Sequence, residues 1–242
     1  WRAKPLAMVP GFRDIDQEAA KRIVQHAIET GGPGWLSAEE TRTLLTAFGI
    51  PQAAGGLAQT AEQAVGIARS LGFPVAAKLA SSRVLHKSDV GAIRLNRQDE
   101  TSVRQAFDDL KQDGMEGILV QRMIQGGVEL MVGVAEDPLF GPLIAFGLGG
   151  IHVEILGDVR FRVTPLTDQD AHEMIREIRG YRLLEGYRGH PPADVKAIED
   201  VLLRVSRMVE DIPEIRELDL NPIFGLPPGE GCSVVDARIR IR

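Results

Sequence analysis

"PVAAKLASSRVLHKSDVGAIRLN", residues 74–96, sets two apolar runs with strand character around a connection that gathers His86, Lys87 and Asp89. Side chains alternate faces along a strand. Val75, Ala77 and Leu79 therefore share one face, and Lys78 shares the other with Ala76 and Ala80. A lysine among such small residues leaves space above the sheet where a ligand could lie. An edge-strand lysine in solvent would give the same letters. The connection between the runs is either a solvated hairpin or a loop that closes over phosphate groups, and the rest of the chain has to decide between them.

Helix signals flank this pair of strands. "SAEETRTLLTAFG" opens with a capping box, Ser37 with Glu40, and stops at Gly49. "TAEQAVGIARSLG" repeats the device with Thr60 and Gln63 and stops at Gly72, and "TSVRQAFDDLKQDG" runs from about residue 101 to Gly114. Upstream, residues 1–12 read as a linker and 14–30 as a helix, broken by "GGPG" at 31–34. From residue 116 the pattern turns to short strands: "GILVQRMI", "VELMVGVA", "PLIAFGL", "IHVEIL" and "VRFRVTPL". Two helices follow, one capped by Thr167 and one with proline at its start. "IRELDLNPIF" and "SVVDARIRI" then read as a strand pair. The expectation is an α+β fold in two lobes: a linker and helix over 1–34, a small lobe over 35–115 and a large lobe over 116–242.

The bulk numbers bound the function. The chain has 242 residues and a formal net charge of −6, which argues against broad nucleic-acid binding. No apolar run approaches the roughly 20 residues of a membrane span. One cysteine, Cys232, allows no internal disulfide, and a reducing, cytoplasmic setting is the natural reading. The chain begins at Trp1 with no initiator Met and reads as a piece of a longer polypeptide or a processed product.

Other candidates for chemistry lie in the back half. In "VELMVGVA", Glu129 shares a face with Met131, Gly133 and Ala135, which suits a sugar hydroxyl contact or a salt-bridged surface glutamate. In "IRELDLNPIF", Glu217, Asp219 and Asn221 fall on one face and span roughly 13 Å. Adjacent members are near enough to share a hydrated Mg²⁺, a hard cation that takes carboxylate and amide oxygens. Asp236, in the strand expected to pair with this one, adds another oxygen. A polar solvent face is the competing reading. The glycines at 147, 149 and 150 allow close backbone approach but lack dinucleotide-fold spacing. Neither a P-loop nor a nucleophile elbow is present.

Taken in order, these segments resemble the ATP-grasp domain of the NDP-forming acyl-CoA synthetases, a group that includes the ADP-forming acetate–CoA ligases, with succinyl-CoA synthetase a more distant relative. The similarity runs from about residue 35 to the end and rests on 72–93, on "VQRMIQGGVELMVGVAEDPLFGPLIAFGLGGIHVE", on "FRVTPLT", and on "ELDLNPIF" followed by "VVDARI". It implies an ATP-grasp fold with the nucleotide in the cleft between lobes. It implies that Lys78, with Lys87, reaches the phosphates, that Gln121 to Met123 read adenine largely through backbone groups, and that Glu129 holds the ribose. Arg162 would steady a phosphate, and Asn221 and Asp236, with Asp219 beside them, would hold Mg²⁺. His86 is similar to a second histidine that passes phosphate to the nucleotide. The first phosphohistidine, CoA and acid would belong to a CoA-binding synthetase domain or subunit. One departure is Ala92, where the family pattern commonly has a second glycine.

The resemblance implies ATP/ADP and Mg²⁺ as cofactors and the reaction acid + CoA + ATP giving acyl-CoA + ADP + phosphate. A second reading makes the chain a regulatory or decayed synthetase-like domain fused to a protein acetyltransferase. A third, another ATP-grasp carboxylate–amine ligase, would not need His86.

Overall fold

The structure is a computed structural model that describes residues 6–80, 91–150 and 157–242. It divides into two compact units. Of the described residues, the smaller comprises those in 36–40 and 53–125, and the larger those in 6–35, 41–52 and 126–242. The boundary expected at 115/116 therefore lies at 125/126. The strand at Gly117–Arg122 was read as the start of the back half, but it hydrogen-bonds into the smaller unit's sheet.

The smaller unit's sheet is antiparallel, in the order β2 (Gly55–Ala58), β5 (Gly117–Arg122), β3 (Val75–Ala80), β4 (Ile93–Arg97). After α1 (Gln17–Gly31) and α2 (Ala38–Ala47) in the chain, two helices, α3 (Ala61–Leu71) and α4 (Glu100–Leu110), cover one face of this sheet. Their apolar stripes explain the packing: Ala64, Val65 and Ala68 from α3 and Val103, Ala106, Phe107 and Leu110 from α4 meet Val75, Ala77, Leu79, Ile118 and Val120. Thr60 caps α3 by accepting from the Gln63 amide, as its sequence suggested. The cap of α4 is Asp99, paired reciprocally with Ser102, two residues before the expected start at about residue 101.

The larger unit carries a second antiparallel sheet, seven-stranded among the described residues. Its order is β1 (Gly34–Trp35), β11 (Ala237–Ile241), β9 (Ile215–Gly225), β6 (Val128–Asp137), β7 (Gly141–Leu148), β8 (Val159–Val163), with β10 (Cys232–Val234) also on β9. Helices α5 (Asp168–Glu177) and α7 (Val195–Asp211) pack on one face, and the short α6 (Tyr181–Leu184) lies between them in sequence. Leu130, Val132, Val134, Ile144, Phe146, Leu218 and Leu220 point to that face and are buried. So are Met174 and Ile175 of α5 and Val201, Leu202, Val205 and Met208 of α7. Side chains at alternate positions of the same strands line the opposite, open face. No helix of the described residues is long and apolar enough to cross a membrane.

Candidate functional site

Lys78 occupies an interior strand, opposite Leu119 of β5 and Ile93 of β4. It is 3% exposed, so the reading of a solvated edge-strand lysine does not hold. Its position follows from the alternation: Val75, Ala77 and Leu79 are claimed by the helix-covered core, which sends Ala76, Lys78 and Ala80 to the other face. Burying an ammonium costs free energy unless it is compensated.

Gln121 shares that face. It stands opposite Ala76 on one side and Gly55 on the other, and is 3% exposed. Its side-chain oxygen has no hydrogen-bond partner among the described residues. Just beyond, the Met123 amide donates to the Pro74 carbonyl at 3.3 Å and the Arg122 amide to Ala54 at 2.9 Å. Arg122 also donates its guanidinium to the Leu71 carbonyl. The backbone of 121–123 is thus pinned from both sides. Ala92 continues the pairing, its carbonyl accepting from Leu79, and Gly91 before it takes a left-handed conformation with φ of 65°. His86 and Lys87 lie outside the described residues.

In the larger unit Glu129 is exposed on the open face, next to a tight backbone approach: its carbonyl accepts from the Gly149 amide at 2.7 Å. Its carboxylate lies beside Gly150, whose φ is 63°. Among the described residues it forms no ion pair. Small side chains surround the rest of this face, with Gly133 opposite both Ala145 and Asp219, and Met131 opposite Gly147.

Asp219 stands opposite Arg238 across the β9–β11 pair, and the carboxylate and guanidinium are 3.5 Å apart. Arg238 in turn lies 6.0 Å from the centre of the Trp35 ring. The Asn221 amide donates to the Asp236 carbonyl at 3.1 Å, which continues the same register and sets Asn221 and Asp236 side by side. So Asp219, Asn221 and Asp236 come together on one end of one strand pair. No group of three or more His, Cys, Asp or Glu side chains among the described residues forms a metal cluster. Two carboxylates and an amide oxygen still suit Mg²⁺, which keeps several waters and shares its coordination with substrate phosphates instead of filling an all-protein cage.

Arg162 is not part of this arrangement. It is opposite Ile144, on the helix-covered face, and donates to the Glu177 carboxylate at 2.7 Å. Its neighbours Phe161 and Val163 take the open face instead, 59% and 46% exposed. The strand "VRFRV" thus inverts the usual placement of apolar residues, and its register puts Arg162 on the face opposite to Glu129 and Asp219. Arg238 was overlooked, although the alternation in "VVDARIRI" places it on the same face as Asp236.

A family model described as an ATP-grasp domain matches residues 27–241. The chain is 44% identical over 233 residues to "Acetate--CoA ligase [ADP-forming] I" of Archaeoglobus fulgidus, covering 93% of this chain and 33% of that protein. It is 41% identical over 232 residues to "Acetate--CoA ligase [ADP-forming] II subunit beta" of Pyrococcus furiosus, covering 92% of this chain and 98% of that one. The chain therefore spans about a third of one relative and nearly all of the other. Among solved structures, the dinucleotide forming acetyl-coenzyme A synthetase 1 of Ca. Korarchaeum cryptofilum superposes with a TM-score of 0.81 at 43% identity, covering 92% of this chain and 100% of that one. That protein is in complex with coenzyme A and Mg-AMPPCP, its phosphohistidine segment pointing towards the nucleotide binding site.

Proposed function

This chain belongs to the ATP-grasp domain family, and from that premise we propose that it is the nucleotide-handling part of an ADP-forming acyl-CoA ligase (acid + CoA + ATP giving acyl-CoA + ADP + phosphate). The observation that carries the reading is Lys78, buried at 3% exposure on an interior strand among alanines. A fixed ammonium on a small-residue face is what a phosphate chain needs. Charge-assisted hydrogen bonds from it are short and strong.

In this reading each residue has a limited task. Lys78, with Lys87, neutralises the phosphates. The pinned backbone of Gln121 to Met123 reads the base. Glu129 accepts from ribose hydroxyls, its carboxylate given room by Gly150. Asp219, Asn221 and Asp236 hold Mg²⁺, which supplies charge neutralisation at the phosphates when bound. Phosphoryl transfer depends mainly on such positioning and charge stabilisation.

His86 is the proposed relay. Its neutral ring nitrogen takes the phosphoryl group from a phosphohistidine of the companion part. One P–N bond breaks as another forms, and the His86 P–N bond then breaks as a terminal phosphate oxygen of ADP forms the new P–O bond, leaving His86 neutral again. The companion is a CoA-binding synthetase domain or subunit, which would bind the acid and CoA. The single-chain and separate-subunit relatives support both forms of partnership. The cytoplasmic setting is proposed on the single cysteine.

Calorimetry with Mg·ADP tests the reading. Saturable binding that weakens when the metal is withheld is the expected result. No heat and no thermal shift at millimolar nucleotide would overturn it and favour a decayed, regulatory module.

A further inference from the structure

The open face of the larger sheet is organised in rows across its strands. Phe161, Ala145, Gly133, Asp219 and Arg238 stand opposite one another in turn across β8, β7, β6, β9 and β11. Arg238 closes this row and is held from two sides. Its Nη2 lies 3.5 Å from Asp219 Oδ2, and its guanidinium lies 6.0 Å from the centre of the Trp35 ring, at the outer limit of a cation–π contact. The side chain is only 23% exposed. A long side chain held in this way loses less entropy when it takes a ligand. Asp219 occupies one of the guanidinium's five N–H donors. Beside Asp219, Gly133 and Ala145 put nothing larger than a methyl group above the sheet, so the row has room for a ligand over it.

The place of the row along the strands gives Arg238 its task. Gly133 lies four residues beyond Glu129 on β6, roughly 13 Å along the strand. Asn221 and Pro222 oppose Met131, midway between them, and Asp236 precedes Arg238 by two residues, roughly 7 Å. From Glu129 outward the order is therefore Glu129, the Asn221/Asp236 pair, then the Arg238 row. Resting on the nucleotide reading above, a nucleotide with its ribose at Glu129 passes its diphosphate over Asn221 and Asp236. The phosphoryl group beyond that diphosphate comes to the Arg238 row. We infer that Arg238 binds the phosphoryl group in transfer, the third phosphate of ATP, and contributes little to holding ADP. A guanidinium fork matches the oxygens of a phosphoryl group in shape and charge. In the direction of ATP formation the P–N bond of the donor imidazole breaks, its electron pair stays on the nitrogen, and a terminal oxygen of ADP forms the new P–O bond. Arg238 gives up no proton; it hydrogen-bonds the peripheral oxygens of the group as it passes, which is where the charge is spread. Arg240 is one row farther on, opposite Glu217 at 3.9 Å and 56% exposed, and has no part in this contact.

The test titrates Mg·ADP and Mg·AMPPCP, whose third phosphate cannot be transferred, into the wild type, Arg238→Met and Arg240→Met by calorimetry on the full chain. Arg238→Met should weaken Mg·AMPPCP by at least about tenfold, as expected for a lost hydrogen bond between charged groups. Its Mg·ADP affinity should stay within about threefold of the wild type. Removing a positive charge beside Asp219 alters the local field for both ligands, so the ratio of the two affinities is the quantity read. Arg240→Met should leave that ratio unchanged. If Arg238→Met does not fold, Arg238→Gln makes the same comparison. An unchanged ratio in the Arg238 variant would overturn the inference alone, and so would an equal change of the ratio in Arg240→Met. Failure of the wild type to bind either nucleotide would overturn the nucleotide reading, and this inference with it.

Discussion

The carboxylate of Glu129 lies where a side chain at position 150 would begin: a Cβ on Gly150 would stand 2.5 Å from Glu129 Oε2. Position 150 also has a φ of 63°, in the left-handed region, where a side chain costs about 1–2 kcal/mol. Gly150→Ala should therefore displace the Glu129 carboxylate and weaken Mg·ADP binding. Glu129→Ala should do the same by removing the carboxylate, by about tenfold for a hydrogen bond to a charged group. The double mutant should be weakened little further than either single one, because both act on one contact. Additive losses in calorimetry would show that Gly150 and Glu129 act separately.

Lys78→Ala should weaken Mg·ADP by roughly 10- to 150-fold, the worth of a charge-assisted hydrogen bond of about 1.5–3 kcal/mol. The strand anchors its backbone, so little ordering has to accompany binding. A loss of less than about twofold in a titration of the folded variant would remove Lys78 from the phosphate site.

Arg162→Met should leave Mg·ADP affinity unchanged, because the guanidinium is on the helix-covered face and paired with Glu177. Its cost should be confined to stability and lie within about 1 kcal/mol, the usual worth of a partly exposed ion pair. A clear drop in affinity with an unchanged melting temperature would contradict the assignment of faces.

Asp194 caps α7 by accepting from the Ala197 amide and also accepts from the Gly229 amide at 2.9 Å. The Gly229 hydrogen bond is the main influence holding its carboxyl below the ordinary aspartate pKa, against the opposing effect of burial. Asp194→Ala should cost about 1–2 kcal/mol near neutral pH. A depressed folded-state pKa contributes stability that is present above the unfolded value and lost as pH falls through the folded one. The gap between wild type and Asp194→Ala in urea titrations should therefore shrink below the ordinary carboxylate range. A gap that stays constant on acidification would show that the cap does not depend on the charge.

Much of this was legible in the sequence where one face of an element is committed to a core. The alternation in "VAAKLA" fixed the face of Lys78, because alanine and valine at the intervening positions had to be buried. The alternation in "ELDLN" did the same for Asp219 and Asn221, since Leu218 and Leu220 are core residues. What failed were judgements that need long-range pairing. Which sheet "GILVQR" joins depends on β2, a four-residue strand beginning Gly-Gly that carries no strand signal of its own. The face of Arg162 could not be read either, because in "VRFRV" the apolar residues are the exposed ones. The pairing of β9 with β6 slips between Leu130 and Val132, where Asn221 and Pro222 together oppose Met131. A bulge of that kind re-aims side chains and is invisible to a period-two reading. The burial of Gln121 likewise depends on the pairing of β2 beside β5, which sets Gly55 opposite it.

The most direct test of the central proposal is ATP formation from ADP and phosphate driven by acyl-CoA, in the full-length protein or with its companion CoA-binding part, for wild type and His86→Asn. Each is first titrated with Mg·ADP to show that the nucleotide still binds. A relay histidine predicts acid-labile phosphate on the wild-type chain during turnover, and a loss of several orders of magnitude in turnover for His86→Asn at nearly unchanged ADP affinity, because removing a covalent acceptor eliminates a step. Near-normal turnover in His86→Asn, or no label on the wild-type chain while ATP is being made, would contradict it and leave direct transfer from the companion's phosphohistidine to ADP as the mechanism.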